Sequence, residues 1–225
     1  MKLLKTLLAF VPIVFAASVS ATIITLDFEG IGIGADINDF YNGGTDSLGN
    51  SGIDYGISFA DAIACLDSDA GGNCNSANEP SPETGMIFLN NDSAILNLSS
   101  GFDTGFSFFY SSNSSAATVS VWSEEGATGT LLGSIDFGNN LGNCSGDPNG
   151  NYCNWDIGSV AFSGTAKSID FGGTANFIIY DDVTFGSVDP TSSNSVPTPT
   201  TIALFSIALF GLAYRNQKSL NRTGA

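Results

Sequence analysis

Histidine is absent from this 225-residue chain, and cations are scarce, with six Lys and Arg against 22 Asp and Glu. The first absence excludes Ser-His-Asp chemistry, His-ligated zinc and an imidazole general base. The second is sharper than the total suggests. All 22 acidic residues fall between Asp27 and Asp189, where Lys167 is the only cation, a formal balance of −21. Phosphates need a basic face, so nucleic acid and acidic lipid are excluded as partners of this stretch. Cysteine is limited to Cys65, Cys74, Cys144 and Cys153. No segment before residue 200 shows a sustained helical period, which excludes helix-bundle and doubly wound architectures.

What is present is a series of short β-branched and aromatic runs punctuated by Gly, Asn, Asp and Ser. The pattern predicts strands over Ile23–Phe28, Gly56–Phe59, Gly85–Leu89, Ala94–Leu98, Phe102–Tyr110, Thr118–Trp122, Leu131–Phe137, Gly158–Phe162, Lys167–Phe171 and Phe177–Phe185. Apolar residues alternate in several of them, as in Val119/Val121 and Ile169/Phe171. One face of each strand then goes to a core and the other stays polar. The expected fold is all-β: one antiparallel β-sandwich, jelly-roll-like, over residues 22–186. The connection over residues 29–55 is too long for an ordinary turn, so it is either functional or held down by something.

The two ends read as an address. Lys2 and Lys5, the apolar run Leu3–Ala17 and the small residues Val19-Ser20-Ala21 form a signal peptide over residues 1–21. After the domain comes a Ser/Thr/Pro linker, 187–201, which is extended in expectation. An apolar helix, 202–214, is expected to enter the membrane, and a basic tail, 215–225, to remain cytoplasmic because Arg215, Lys218 and Arg222 all follow the helix. The helix is short against the roughly 20 residues a span needs. The order of parts, Val196-Pro197-Thr198-Pro199, then the helix with Gly211-Leu212, then Arg215 and Lys218, resembles the PEP-CTERM sorting signal. Two features depart from it: Thr198 stands where that motif has Glu, and Asn216 and Gln217 interrupt the basic cluster.

That resemblance implies an exosortase-type partner and export to the membrane or cell surface of a Gram-negative bacterium, near an extracellular polysaccharide matrix. A retained membrane anchor is the alternative. The domain also resembles the carbohydrate-binding-module-like β-sandwiches that precede such tails. The matching pieces are Leu26-Asp27-Phe28-Glu29-Gly30, Tyr55–Phe59, Gly101–Phe108 and Tyr180-Asp181-Asp182-Val183.

Three groups of residues carry candidate chemistry. Asp27 and Glu29 on the first strand and Asp181 and Asp182 on the last repel one another unless a cation lies between them. The resemblance implies a structural Ca²⁺ there, with Glu29 and Asp182 as ligands; solvated strand ends are the alternative. By strict alternation Asp182 points away from a face shared by Ile179 and Val183. Asp67 and Asp69 open a D-x-D loop that fits half of a calcium site and could join the same ion; a polar turn is the alternative. The close cysteine pairs suggest disulfides Cys65–Cys74 and Cys144–Cys153 in an exported protein, against a metal site. Tyr152 and Trp155 are candidate rings for stacking on a sugar, or a cap on the core. The functional expectation is a non-catalytic surface protein. A carboxylate-based glycosidase or lyase, and an adhesin or structural surface component, are the alternatives.

Overall fold

Burial along the strands follows the expected alternation. In Ser93–Phe102, Ala94, Leu96 and Leu98 are buried while Ile95 and Asn97 between them are partly exposed. In Ala117–Glu124, Ala117, Val119 and Val121 are buried with Thr118 and Ser120 outward. A computed structural model describes residues 23–142 and 150–192. In chain order its strands are β1 (Ile24–Leu26), β2 (Ile57–Ala60), β3 (Ile63–Leu66), β4 (Thr84–Ile87), β5 (Ser93–Phe102), β6 (Phe106–Ser112), β7 (Ala117–Glu124), β8 (Thr128–Phe137), β9 (Asp156–Val160), β10 (Ala166–Gly172) and β11 (Ile178–Phe185). One sheet runs β2-β5-β10-β7-β8; the other runs β3-β4-β11-β6-β9, with β1 also paired to β11. All pairings are antiparallel. Among the described residues no helix is long and apolar enough to cross a membrane.

The two sheets enclose an aromatic core. Phe106, Phe108, Phe171 and Tyr180 are fully buried, and Phe108 meets Tyr180 edge-on at 5.6 Å between centroids. Edge-to-face pairs of this kind add about 0.5–1.5 kcal/mol beyond their buried area. The Tyr180 hydroxyl donates to the Gly172 carbonyl at 3.0 Å, so this core tyrosine leaves no polar atom unpaired.

The strands β6 and β11 are buried on both faces. On the outer face of β11, Ile179 joins a second cluster with Cys65, Ile87 and Tyr152, against which Ile63, Cys74 and Trp155 pack. Cys65 and Cys74 form the expected disulfide, with Cα atoms 5.4 Å apart. Cys153 is also disulfide-bonded; Cys144 lies outside the described residues, as do the signal peptide, the sorting motif Val196–Pro199 and the 202–214 helix.

Three expectations need correction. The strand β3 was not anticipated, because Ile-Ala-Cys-Leu does not alternate. The run expected over Phe102–Tyr110 is broken: Phe102 closes β5 and Phe106 opens β6, with Thr104 at φ 76° and Gly105 at φ 144° between them. A side chain on Gly105 would press on the Val160 carbonyl at 2.8 Å, so the reversal needs glycine there. The third correction lies in β11 and shapes the site.

Candidate functional site

One edge of β11 is shared by two short strands. Met86 of β4 pairs with Tyr180, and Leu26, Thr25 and Ile24 of β1 pair with Val183, Thr184 and Phe185. Asp181 and Asp182 fall in the gap between them. There the pairing of β11 with β6 slips, and Asp182 takes φ 48°. This is a β-bulge. It reverses the phase: Tyr180 and Val183 both enter the main core, whereas Ile179 faces the second cluster. Ile179 and Val183 therefore do not share a face, contrary to strict alternation.

The gap draws in chain from both neighbours. Past β1, Phe28 turns at φ 59°, and just before β4, Glu83 turns at φ 77°. Positive φ is uncommon for large side chains, costs about 1–3 kcal/mol, and persists only where the surroundings enforce it. The enforcing contacts are visible. The Thr84 N–H donates to Glu29 Oε1 at 2.8 Å and its hydroxyl to Oε2 at 3.3 Å. The Ser81 hydroxyl lies 3.0 Å from both Asp181 oxygens, and the Ser81 and Asp182 N–H groups donate to the same carboxylate at 3.3 and 2.7 Å.

The electrostatics are those of crowded acids. Asp181 is fully enclosed, and burial, with the charge of Asp182 beside it, pushes it up to about 8 against the hydrogen bonds from Asp182 and Ser81. Burial and then the charge of Asp27 push Asp182 up to about 6. Glu29 is raised as well, by burial first, with Asp27 and Glu83 adding to it and Thr84 opposing.

Beside this cluster opens a pocket of about 290 Å³, lined by Thr25, Asp27, Glu29, Gly30, Phe40, Tyr41, Ser51, Gly52, Ile53 and Tyr55. The long 29–55 connection builds its wall. Asp46, almost fully buried, ties that connection down: it accepts from the Gly32 N–H (2.8 Å), the Leu48 N–H (2.8 Å), the Asn50 N–H (2.9 Å) and the Asn50 side-chain amide (2.9 Å). Gly52 lies flat on the Phe40 ring, where a Cβ would overlap the ring, and its N–H donates to the Phe40 carbonyl at 3.1 Å. Tyr41 and Tyr55 are stacked, with centroids 6.3 Å apart and planes at 26°. Tyr41 is only 4% exposed, and its enclosed hydroxyl has the Phe28 backbone as its hydrogen-bonding neighbour. Burial, then the charge of Asp27, raises that phenol well above its ordinary range.

The other sequence candidates lie elsewhere. Asp67 is buried and accepts from the N–H groups of Asp69 (3.1 Å) and Ser76 (3.2 Å), closing the polar turn inside the Cys65–Cys74 loop. Among the described residues no three Asp, Glu, Cys or His side chains are grouped so as to hold a metal ion. Glu29, Asp67, Asp69 and Asp182 are thus not gathered round one centre. Tyr152 is buried with its hydroxyl on the Asn176 carbonyl at 2.5 Å, and the Trp155 indole N–H donates to the Ala77 carbonyl at 3.0 Å. Both rings serve the second cluster. Sequence reasoning missed Phe40, Tyr41 and Tyr55 as pocket residues. The signal was the length of the connection that carries them.

No protein-family model and no curated protein matches the chain. Likeness to solved structures is partial. A β-1,3-glucan-binding CBM6 from Bacillus halodurans is 13% identical, with a TM-score of 0.38 over 57% of this chain and 87% of its own. The K1 cleaved adhesin domain of Lys-gingipain from Porphyromonas gingivalis is 12% identical, with a TM-score of 0.42 over 78% and 100%. A glycoside hydrolase family 43 arabinoxylan arabinofuranohydrolase from Bacillus subtilis is 15% identical, with a TM-score of 0.35 over 55% and 24%. Likeness at this level carries no argument about function, so the site is read from its own side chains.

Proposed function

We propose that this chain is an exported, surface-associated, non-catalytic β-sandwich protein that binds carbohydrate in the pocket between β1 and the 29–55 connection. The observation that carries the reading is the composition of that pocket: the half-buried ring of Tyr55, backed by the buried rings of Phe40 and Tyr41, and the carboxylates of Asp27 and Glu29. Aromatic faces meet the apolar faces of a sugar, and a few fixed polar groups meet its hydroxyls. The disulfides and the ends of the sequence support export, and the tail supports a sorting signal read by an exosortase-type partner at a cell envelope or in a polysaccharide matrix.

A carboxylate-based glycosidase or lyase is the second reading, favoured by the raised Glu29 carboxyl at the pocket wall. Glu29 is held by two hydrogen bonds from Thr84, and Asp181, the most strongly raised acid, does not line the pocket. Both facts favour binding over turnover. The test is a panel of oligosaccharides titrated against the full chain by calorimetry, with release of reducing ends followed in parallel. Saturable binding without bond cleavage is expected, and Tyr55→Ala should abolish it. Cleavage would move the chain to the enzymatic reading. No binding by any oligosaccharide would leave an adhesin or structural role.

A further inference from the structure

The linker expected from residue 187 is folded over its first six residues. Thr25 of β1, Thr184 of β11, Ser107 of β6 and Ser159 of β9 stand in one cross-strand row. Their neighbours along the strands, Leu26, Val183, Phe185, Phe106, Phe108 and Val160, face the main core. The row of hydroxyls therefore lies on the other face of the sheet. Ser107 and Thr184 are nonetheless 0% exposed there. The chain that follows β11 covers them. The Gly186 N–H donates to the Gly105 carbonyl at 3.1 Å, and the Ser107 hydroxyl donates to the Ser187 carbonyl at 3.1 Å. The Pro190 carbonyl lies 3.5 Å from the Thr184 hydroxyl, and Pro190 is itself buried.

This strap also closes on itself. Asp189-Pro190-Thr191-Ser192 has Asp at the first and Pro at the second position of a β-turn, where both are favoured. The Ser192 N–H closes the turn on the Asp189 carbonyl at 3.1 Å. The Asp189 carboxylate accepts from the Thr191 N–H at 2.9 Å and from its hydroxyl at 2.7 Å. Ser187 Oγ accepts from the Asp189 N–H at 3.0 Å and meets Ser192 Oγ at 2.9 Å. A protease needs several consecutive residues in extended form with their backbone groups free, and cuts where burial and hydrogen bonding leave the chain available. Gly186–Ser192 is bonded to the sheet at one end and to itself at the other.

Resting on the export and sorting reading for the enzyme involved, we infer that Gly186–Ser192 is a folded stop for proteolytic processing. The cut that separates the domain from its tail falls beyond Ser192, and the mature domain keeps the strap. In the sequence only Ser193, Asn194 and Ser195 then separate the folded strap from Val196-Pro197-Thr198-Pro199, in place of the nine residues of a linker that starts at Ser187. The processing enzyme has to accept a substrate whose folded part ends three residues ahead of the motif.

The experiment exposes the full chain to proteinase K at neutral pH and reads the C-terminus of the resistant domain by mass spectrometry. That end is expected at Ser192 or beyond, with trimming into the strap at least about tenfold slower than loss of the tail. A domain cut back to Phe185 or Gly186 as fast as the tail is lost would overturn the stop. Asp189→Ala removes the carboxylate that holds Thr191 but keeps Pro190 and touches no strand. Its melting temperature should stay level while its strap is trimmed about tenfold faster than in the wild type. Equal resistance in this variant would assign the protection to the Asp189–Pro190 bond alone and overturn the strap. The C-terminal residue of the native surface protein is the second readout. An end beyond Ser192 supports the stop, and an end within 186–192 overturns it. An uncut tail would overturn the sorting reading, with the digest still deciding the stop.

Discussion

Two buried aspartates in different parts of the chain are driven in opposite directions. Asp46 in the 29–55 connection is 3% exposed and held down to about 2. Asp181 in β11 is 0% exposed and pushed up to about 8. Burial acts to raise both, but it weighs far more on Asp181, inside β11, than on Asp46 in its loop. Asp46 receives four N–H donors, from Gly32, Leu48 and Asn50, which outweigh its burial. Asp181 also receives donors, from Ser81 and Asp182, but it shares its gap with the Asp182 charge. The difference shows what decides the charge of an enclosed carboxyl: surplus N–H donors fix it as an anion where desolvation is light, whereas deep burial, with a second acid beside it, favours the proton.

The largest expected effect breaks the Asp46 side. Asp46→Ala strands the N–H groups of Gly32, Leu48 and Asn50 and should cost about 4 kcal/mol, given roughly 1.5–3 kcal/mol for each hydrogen bond to a charged group and partial relief by water. Urea denaturation of the full chain at neutral pH reads it, and a loss under about 1 kcal/mol would mean that the connection is held by its apolar residues alone.

The second effect sharpens the comparison through pH. The folded values of Asp181 (about 8) and Asp182 (about 6) lie above the ordinary 3.8, so the folded state binds protons more tightly than the unfolded chain. Their contribution is complete below about pH 3.8 and is lost as pH rises through about 6 and then about 8. Each such group can cost up to about 1.4 kcal/mol per pH unit in its window. For Asp46 the sign is reversed: its contribution is present above 3.8 and is lost as pH falls toward about 2. Thermal melts should therefore show greater stability near pH 5 than near pH 8. Asp181→Asn should flatten that slope and stabilise the protein at pH 8 by roughly 2 kcal/mol. A wild-type slope that survives the substitution would assign the pH dependence to the overall acidic surface instead.

The smallest effect concerns the Tyr41 ring. Tyr41→Phe removes a hydroxyl enclosed beside the Phe28 backbone, so stability should change by no more than about 1 kcal/mol while oligosaccharide affinity falls. A loss of stability with unchanged affinity would make Tyr41 a core residue only.

Legibility in the sequence tracked regularity. The strands around Ala94/Leu96/Leu98 and Val119/Val121 were readable because period-2 burial leaves period-2 hydrophobicity. The Cys65–Cys74 pair was readable from spacing. The bulge at Asp181–Asp182 was not, because two adjacent acids carry no sign of which one leaves the pleat, and every facing inferred beyond them inverts. The strand β3 was missed because Ile63 and Cys65 face the second cluster while Ala64 faces the main core, so both faces are apolar and no polar residue marks the alternation. The pocket was the hardest to foresee. Its walls come from residues 25–30, 40–41 and 51–55, brought together by the Asp46 hydrogen bonds and by the Gly52–Phe40 and Tyr55–Tyr41 backbone bonds.

The pairing of β1 with β11 has a mechanical consequence. The chain enters the sheet at Ile24 and leaves it at Phe185, and these two residues are direct partners. Tension applied through the residues after Phe185 pulls along the axis of β11, which is hydrogen-bonded to β6 on one edge and to β1 and β4 on the other. A strand pulled lengthwise between two neighbours must break its ladder all at once in shear, not one bond at a time as in peeling. A domain loaded from that end resists drag while its pocket remains assembled.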